Sequence, residues 1–244
     1  VLGINLITKS NRGDIMFKTL LTTIILMVSF QNFASAETQD DQSLFIASVK
    51  VEEVSTPAGL DSEMLVLGDP AGAINEISII IDGLLGIGKK IWPIIEAGRP
   101  VVTTNFVPAI SIIPNVDGKN VVLNDMANWS IPKVKSFRVS FQNTFGMNVV
   151  AFTYTVLFQY GGTYKDLGKY VTTLKVIPSD IYTSWGFNFD ATSELTGISN
   201  VGSTTAPVAS GVIQVGYKVK GFLNEVGSAQ SFYVDGNGNI TQLN

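Results

Sequence analysis

A strict two-residue alternation in the middle of the chain restricts the fold more than any other feature. Phe137, Val139 and Phe141 alternate with Arg138, Ser140 and Gln142. After a turn at Asn143-Thr144-Phe145-Gly146 the period returns across Met147–Tyr160, with Val150, Phe152, Tyr154, Val156, Phe158 and Tyr160 on one side. Successive side chains of an extended strand point to opposite faces, so this spacing collects the large apolar groups on a single face. Two such runs joined by a short turn read as an antiparallel hairpin.

The pattern recurs on both sides of that hairpin. Tyr170–Ile177 is expected to be a strand closed by Pro178-Ser179-Asp180. Across Ile181–Ala191, Trp185, Phe187 and Phe189 alternate with Ser184, Gly186, Asn188 and Asp190. A stretch rich in Gly, Ser, Thr and Pro, Thr196–Gly211, precedes Val212–Phe222, in which Ile213, Val215, Tyr217 and Val219 share a face. Ser231–Val234 and Asn239–Leu243 flank Asp235-Gly236-Asn237-Gly238 as a terminal hairpin. Upstream, Leu44–Val54 reads as a strand, Val101–Ile113 as an edge strand or bend broken by Pro108, and Asn120–Leu123 as a short strand. The chain is therefore expected to be mainly β, with an antiparallel β-sandwich over residues 100–244. An outer-membrane barrel also alternates, but the strand number is low for one, and Thr241-Gln242-Leu243-Asn244 carries no aromatic girdle residue.

One segment has a different period. Ile74, Ile77, Ile81, Leu84, Gly88, Ile91 and Ile95 recur at helical spacing, with Asn75, Ser78, Asp82, Lys89 and Glu96 opposite; Ile79 fits badly. This predicts one amphipathic N-terminal helix over residues 71–99, packed on the sandwich, with Pro93 kinking it and Gly98 and Pro100 stopping it. The same face, with a Gly-rich centre, paired lysines and Trp92, also suits a membrane interface.

The N-terminal region reads as export machinery. Met16-Phe17-Lys18 opens a short basic stretch, Leu20–Val28 is an apolar run, and Ala34-Ser35-Ala36 supplies the small residues of a cleavage site. The run is too short for a bilayer span of about 20 residues. Residues 16–36 are thus expected to be a signal peptide cleaved after Ala36. Residues 1–15 do not fit that pattern and are taken as a start assigned too far upstream, from a GTG codon, which points to a bacterial source. Residues 37–70 form an acidic extension with one strand. Without residues 1–36 the chain loses three of its 16 basic and one of its 20 acidic residues, moving the net charge from −4 to −6. A negative chain without a basic cluster is a poor match for nucleic acid.

The composition also limits the chemistry. The chain has no Cys and no His, which excludes disulfides, a lipid-modified cysteine, imidazole or thiolate zinc sites, and triads built on His. No carboxylate pair or Ser-Lys motif stands out, and no cofactor or metal site is expected. Asp235-Gly236-Asn237-Gly238-Asn239-Ile240 begins like a calcium loop. It has Ile240 where glycine is needed, and a hairpin turn is the better reading. These observations lead to an exported, non-catalytic binding or assembly protein of the envelope or surroundings, located in the periplasm, at the surface or in the medium. A first alternative is a pore-forming-like protein inserting the 74–97 helix through Ile74, Ile77, Ile81, Leu84, Ile91 and Trp92. A second is a carbohydrate-binding module using Trp129, Tyr182 and Trp185. Protein, glycan and membrane surface all stay open as partners.

Overall fold

The computed structural model describes residues 42–56, 76–80, 90–100, 109–116 and 119–243. The architecture below is that of the compact unit Phe45–Asn244. The alternating segments pair as their period demands. The central hairpin is β8 (Lys133–Asn143) and β9 (Asn148–Tyr164), with Phe141 opposite Val150 and Phe137 opposite Tyr154. β9 continues antiparallel to β10 (Leu167–Thr183), and β1 (Ile46–Val54) flanks β8. β5 (Ala109–Ile113) and β2 (Glu76–Ile80) complete a six-stranded sheet of order β1-β8-β9-β10-β5-β2.

The second six-stranded sheet is built from β3 (Lys90–Glu96), β4 (Arg99–Pro100), β11 (Asn188–Asn200), β12 (Ala209–Lys220), β13 (Glu225–Asp235) and β14 (Ile240–Gln242), in the order β14-β13-β12-β11-β3-β4. A small hairpin of β6 (Asn115–Val116) and β7 (Lys119–Asn120) lies outside both. Among the described strands every ladder is antiparallel except that of β2 with β5; an isolated parallel bridge joins Lys169 and Val208. The chain is thus mainly β and sandwich-like.

Between the sheets lies the apolar face that the alternation marked. Val150, Phe152, Tyr154, Val156 and Phe158 of β9 are fully buried, as are Ile213, Val215 and Val219 of β12. Rings interlock, with centroids 4.8 Å apart for Phe137 and Phe232 and 4.7 Å for Phe152 and Phe189. Each large buried side chain contributes roughly 1.5–3 kcal/mol, and a well-placed aromatic pair about 0.5–1.5 kcal/mol more. The buried Tyr154 hydroxyl donates to Gln230 Oε1 of the facing sheet, so the one polar atom of that ring is satisfied.

Several expectations need correction, among them the short strand at Asn120–Leu123, where only Asn120 pairs, in β7, and Leu123–Asp125 is a 3-10 turn. Glu76–Ile80 and Lys90–Glu96 are strands β2 and β3, so no helix occupies 71–99 in the described residues; 71–75 and 81–89 lie outside them. The spacing met a 100° period, yet these short pieces are rich in isoleucine, whose branched Cβ favours the pleated strand. Their backbone pairs with distant strands, Ile77 with Ile110 and Trp92 with Ser193, which local periodicity does not encode. Pro178 does not close its strand. It sits within β10 opposite Tyr154, beyond Leu174, the last β10 residue paired with β5 among the described residues. Finally, β5 is not an edge strand, because β2 pairs with it; residues 101–108, including Pro108, lie outside the described ones.

Candidate functional site

The ladders bring several chain reversals to one end of the sandwich. Ile46 at the start of β1 faces Asn143, Gln142 faces Asn148, and Val150 faces Thr183. In the other sheet Asn188 faces Lys220, which in turn faces Glu225. The start of β1 therefore lies at the same end as the β8–β9, β10–β11 and β12–β13 turns. The β10–β11 turn carries the chain from one sheet to the other.

Each of these segments presents large apolar side chains to solvent. Trp185 in the β10–β11 turn is 84% exposed, Phe222 in the β12–β13 turn 62%, and Met147 after the β8–β9 turn 57%. Phe45, Phe145 and Leu223 are exposed beside them, and Tyr182 shares a 2.8 Å hydroxyl hydrogen bond with Ser184. The turns 143–147, 184–187 and 221–224 contain no charged residue. Charge begins one step behind them, with exposed Lys220 and the Lys218–Glu225 pair at 3.3 Å.

The turns are held in place by polar groups directed inward. Asn143 is buried, and its Oδ1 accepts the backbone N–H groups of Phe145 and Met147 at 3.1 and 3.0 Å. Asn224 Oδ1 accepts from Ile46 N at 3.0 Å and its Nδ2 donates to Ile46 O at 2.9 Å, tying the start of β1 to the facing sheet. The Trp185 and Phe222 rings lie 5.7 Å apart, tilted by 40°. Gly186 makes this possible: its φ is +86°, and a Cβ there would stand 2.6 Å from Phe222 Cε2.

The sequence-derived residues fall into separate places. Tyr182 and Trp185 belong to the apolar end. Trp129 does not: it is half-buried over Gly162, where a Cβ would approach its ring to 2.4 Å. Trp92 is half-buried in β3 and, with Ile94, Ile110 and Ile213 among others, lines a void of about 10 Å³, room for one water at most. Ile77 and Ile91 stand on β2 and β3, while Ile74, Ile81 and Leu84 lie outside the described residues. The sequence pattern assigns no site role to Phe45, Phe145, Met147, Phe222 and Leu223. A signal existed for two of these: Phe222-Leu223 between Gly221 and Asn224 is an apolar pair inside turn chemistry.

Asp235 is a turn residue. Its Oδ1 accepts from Asn237 N and Asn239 N at 2.9 and 3.0 Å, and its Oδ2 from Asn239 Nδ2 at 2.8 Å. The carboxylate is thus directed at its own backbone, as the hairpin reading expected. No family model, curated protein or solved structure matches the chain. What the apolar end can do chemically is remove exposed aromatic and aliphatic surface from water against a partner, beginning with the paired Trp185 and Phe222 rings.

Proposed function

We propose that the protein is an exported, non-catalytic binding or assembly protein of the bacterial envelope or its surroundings, and that it binds through the apolar end of the sandwich. The observation that carries this reading is the collection of uncharged, aromatic-bearing turns at one end, with Trp185 and Phe222 exposed and paired. Export is supported by the tripartite pattern of residues 16–36, and the non-catalytic reading by a chain without His or Cys. The alternative of a 74–97 helix inserting into a membrane gains no support from the described residues, where Glu76–Ile80 and Lys90–Glu96 are strands.

The test is a benzoylphenylalanine photo-cross-linker placed at Phe222 and, as a control, at exposed Thr204 of the opposite end, in producing cells. Adducts specific to position 222 support binding through this end. Equal labelling from both positions, or none, would sink it.

Carbohydrate binding is the second reading, and the exposure of Trp185 beside the Tyr182–Ser184 hydroxyls supports it. It predicts that Trp185→Ala abolishes glycan retention without unfolding. The tilt of the Trp185–Phe222 pair weighs against it, because the two rings do not form one flat platform.

A further inference from the structure

We infer that the partner of the apolar end is the interfacial zone of a lipid bilayer, entered by the turns at 143–147, 184–187 and 221–224. This rests on the reading that the apolar end is the binding surface, and it names the occupant.

Three features favour lipid over a protein partner. First, the apolar groups ride on separate turns belonging to both sheets. Packed sheets lie about 10 Å apart, so tips carried by both sheets spread the apolar groups over the end of the sandwich, with the Trp185–Phe222 pair bridging two of the turns. Second, the asparagine side chains that close two of these turns are committed to the backbone. Protein interfaces carry about one hydrogen bond per 100–200 Å² and favour arginine. Here Asn143 and Asn224 spend their amides on the backbone of Phe145, Met147 and Ile46, and the turns have no charge to offer. Third, the chemistry is zoned along the direction of approach. Phe145, Met147, Trp185, Phe222 and Leu223 stand on the turns, and the hydroxyl pair Tyr182–Ser184 adjoins them. Lys220 and the Lys218–Glu225 pair come next along the strands. Hydrocarbon-seeking tips with an aromatic hydroxyl and charged groups at their base match the passage from acyl chain to headgroup.

The charge behind the tips is mixed: Lys218 is neutralised by Glu225, and Lys220 stands beside them. Attraction to anionic lipid has little to act on. Binding should therefore follow buried apolar area, proceed on zwitterionic vesicles, and survive salt that screens charge at long range.

The absence of cysteine makes a site-specific test direct. The full chain carries Leu223→Cys, or Thr204→Cys as control, labelled with an environment-sensitive nitrobenzoxadiazole dye and titrated with phosphatidylcholine vesicles. The dye reports its own surroundings, so the apolar run near the N-terminus does not imitate the signal. The expected result is a blue shift and intensity gain at position 223, none at 204, unchanged by salt. Adding Trp185→Ser and Phe222→Ser should raise the lipid concentration required at least ~tenfold, given the apolar area removed, while thermal unfolding confirms that the variant is folded. The inference is overturned by a silent position 223, by an equal response at 204, or by a response that needs anionic lipid and vanishes in salt. A silent position 223 together with a protein adduct at Phe222 would remove lipid as the partner and leave the binding end intact. Silence together with no adduct would remove both.

Discussion

At one end of the sandwich, Asn143 Oδ1 accepts two backbone N–H groups and closes a turn from which Phe145 and Met147 reach solvent. At the other, Asn200 Oδ1 accepts from Gly202 and Val208 at 2.9 and 2.8 Å, and Asp235 closes the last hairpin the same way. The turn device is shared, but the residues it displays are not. The far turns carry Lys165-Asp166, Ser203-Thr204-Thr205 and Asn237, the last bonded to Lys169 Nζ at 2.9 Å. Exposed Leu167 and Val201 are also there, set among polar and charged neighbours. Folding thus demands the closing side chain and leaves the tip free. An uncharged aromatic tip, repeated on three turns, is not something the turns require.

Changes to the closing groups should produce the largest effects. Asp235→Ala removes the carboxylate that serves Asn237, Asn239 and, at 3.2 Å, the Tyr233 hydroxyl. A loss of about 3 kcal/mol is expected, read as a lower urea midpoint. Midway between the ends, Tyr154→Phe would leave Gln230 Oε1 without its donor and cost about 1–3 kcal/mol. If that variant altered the dye response at position 223, the apolar end would depend on the core between the sheets as well as on its own turns.

The same tyrosine sets an alkaline limit. Burial, aided by neighbouring Tyr217, raises the Tyr154 pKa well above 10, and burial also raises that of Tyr217. The folded state holds these protons after the unfolded state has released them. Their contribution is therefore fully present below about pH 10 and is lost as pH climbs towards the folded values. Unfolding at rising pH, monitored by tyrosinate absorbance, should release both in one cooperative step.

Smaller changes sharpen the contrast between the ends. Asn143→Ala should cost about 1–2 kcal/mol, less than Asp235→Ala because the lost bonds are to a neutral amide. Gly186→Ala must place a Cβ at positive φ and against Phe222; about 1–2 kcal/mol is expected, with altered Trp185 fluorescence as the Phe222 ring moves. The smallest stability effect belongs to Trp185→Ser, within about 0.5 kcal/mol for so exposed a side chain. If Trp185→Ser destabilised the protein as much as Gly186→Ala, the tip would be a structural element, and its display to a partner would lose its basis.

Much of the core was legible from the chain alone, and most of the site was not. Phe137, Val139 and Phe141, the even-numbered run from Val150 to Phe158, and Ile213 to Val219 lie inward as their alternation implied. Trp185 shows where that logic stops. Counting by twos from Phe189 puts it inside, yet β11 begins only at Asn188 and residues 184–187 form the crossover turn, so the phase is lost and the indole is exposed. The isoleucines of β2 and β3 illustrate the same limit from another side, since their spacing suited a helix while their partners in β5 and β11 lay far along the chain.

The sequence by itself determined which residues face the core within each long strand, because side-chain direction in an extended chain is a local property with a fixed period. It also determined what chemistry is absent, since no fold supplies a missing imidazole or thiol. Tertiary structure alone decided that Phe45, Phe145, Met147, Tyr182, Trp185, Phe222 and Leu223 share one end. They are scattered across 179 positions, and only strand order and register, set by pairing between distant segments, bring those turns together.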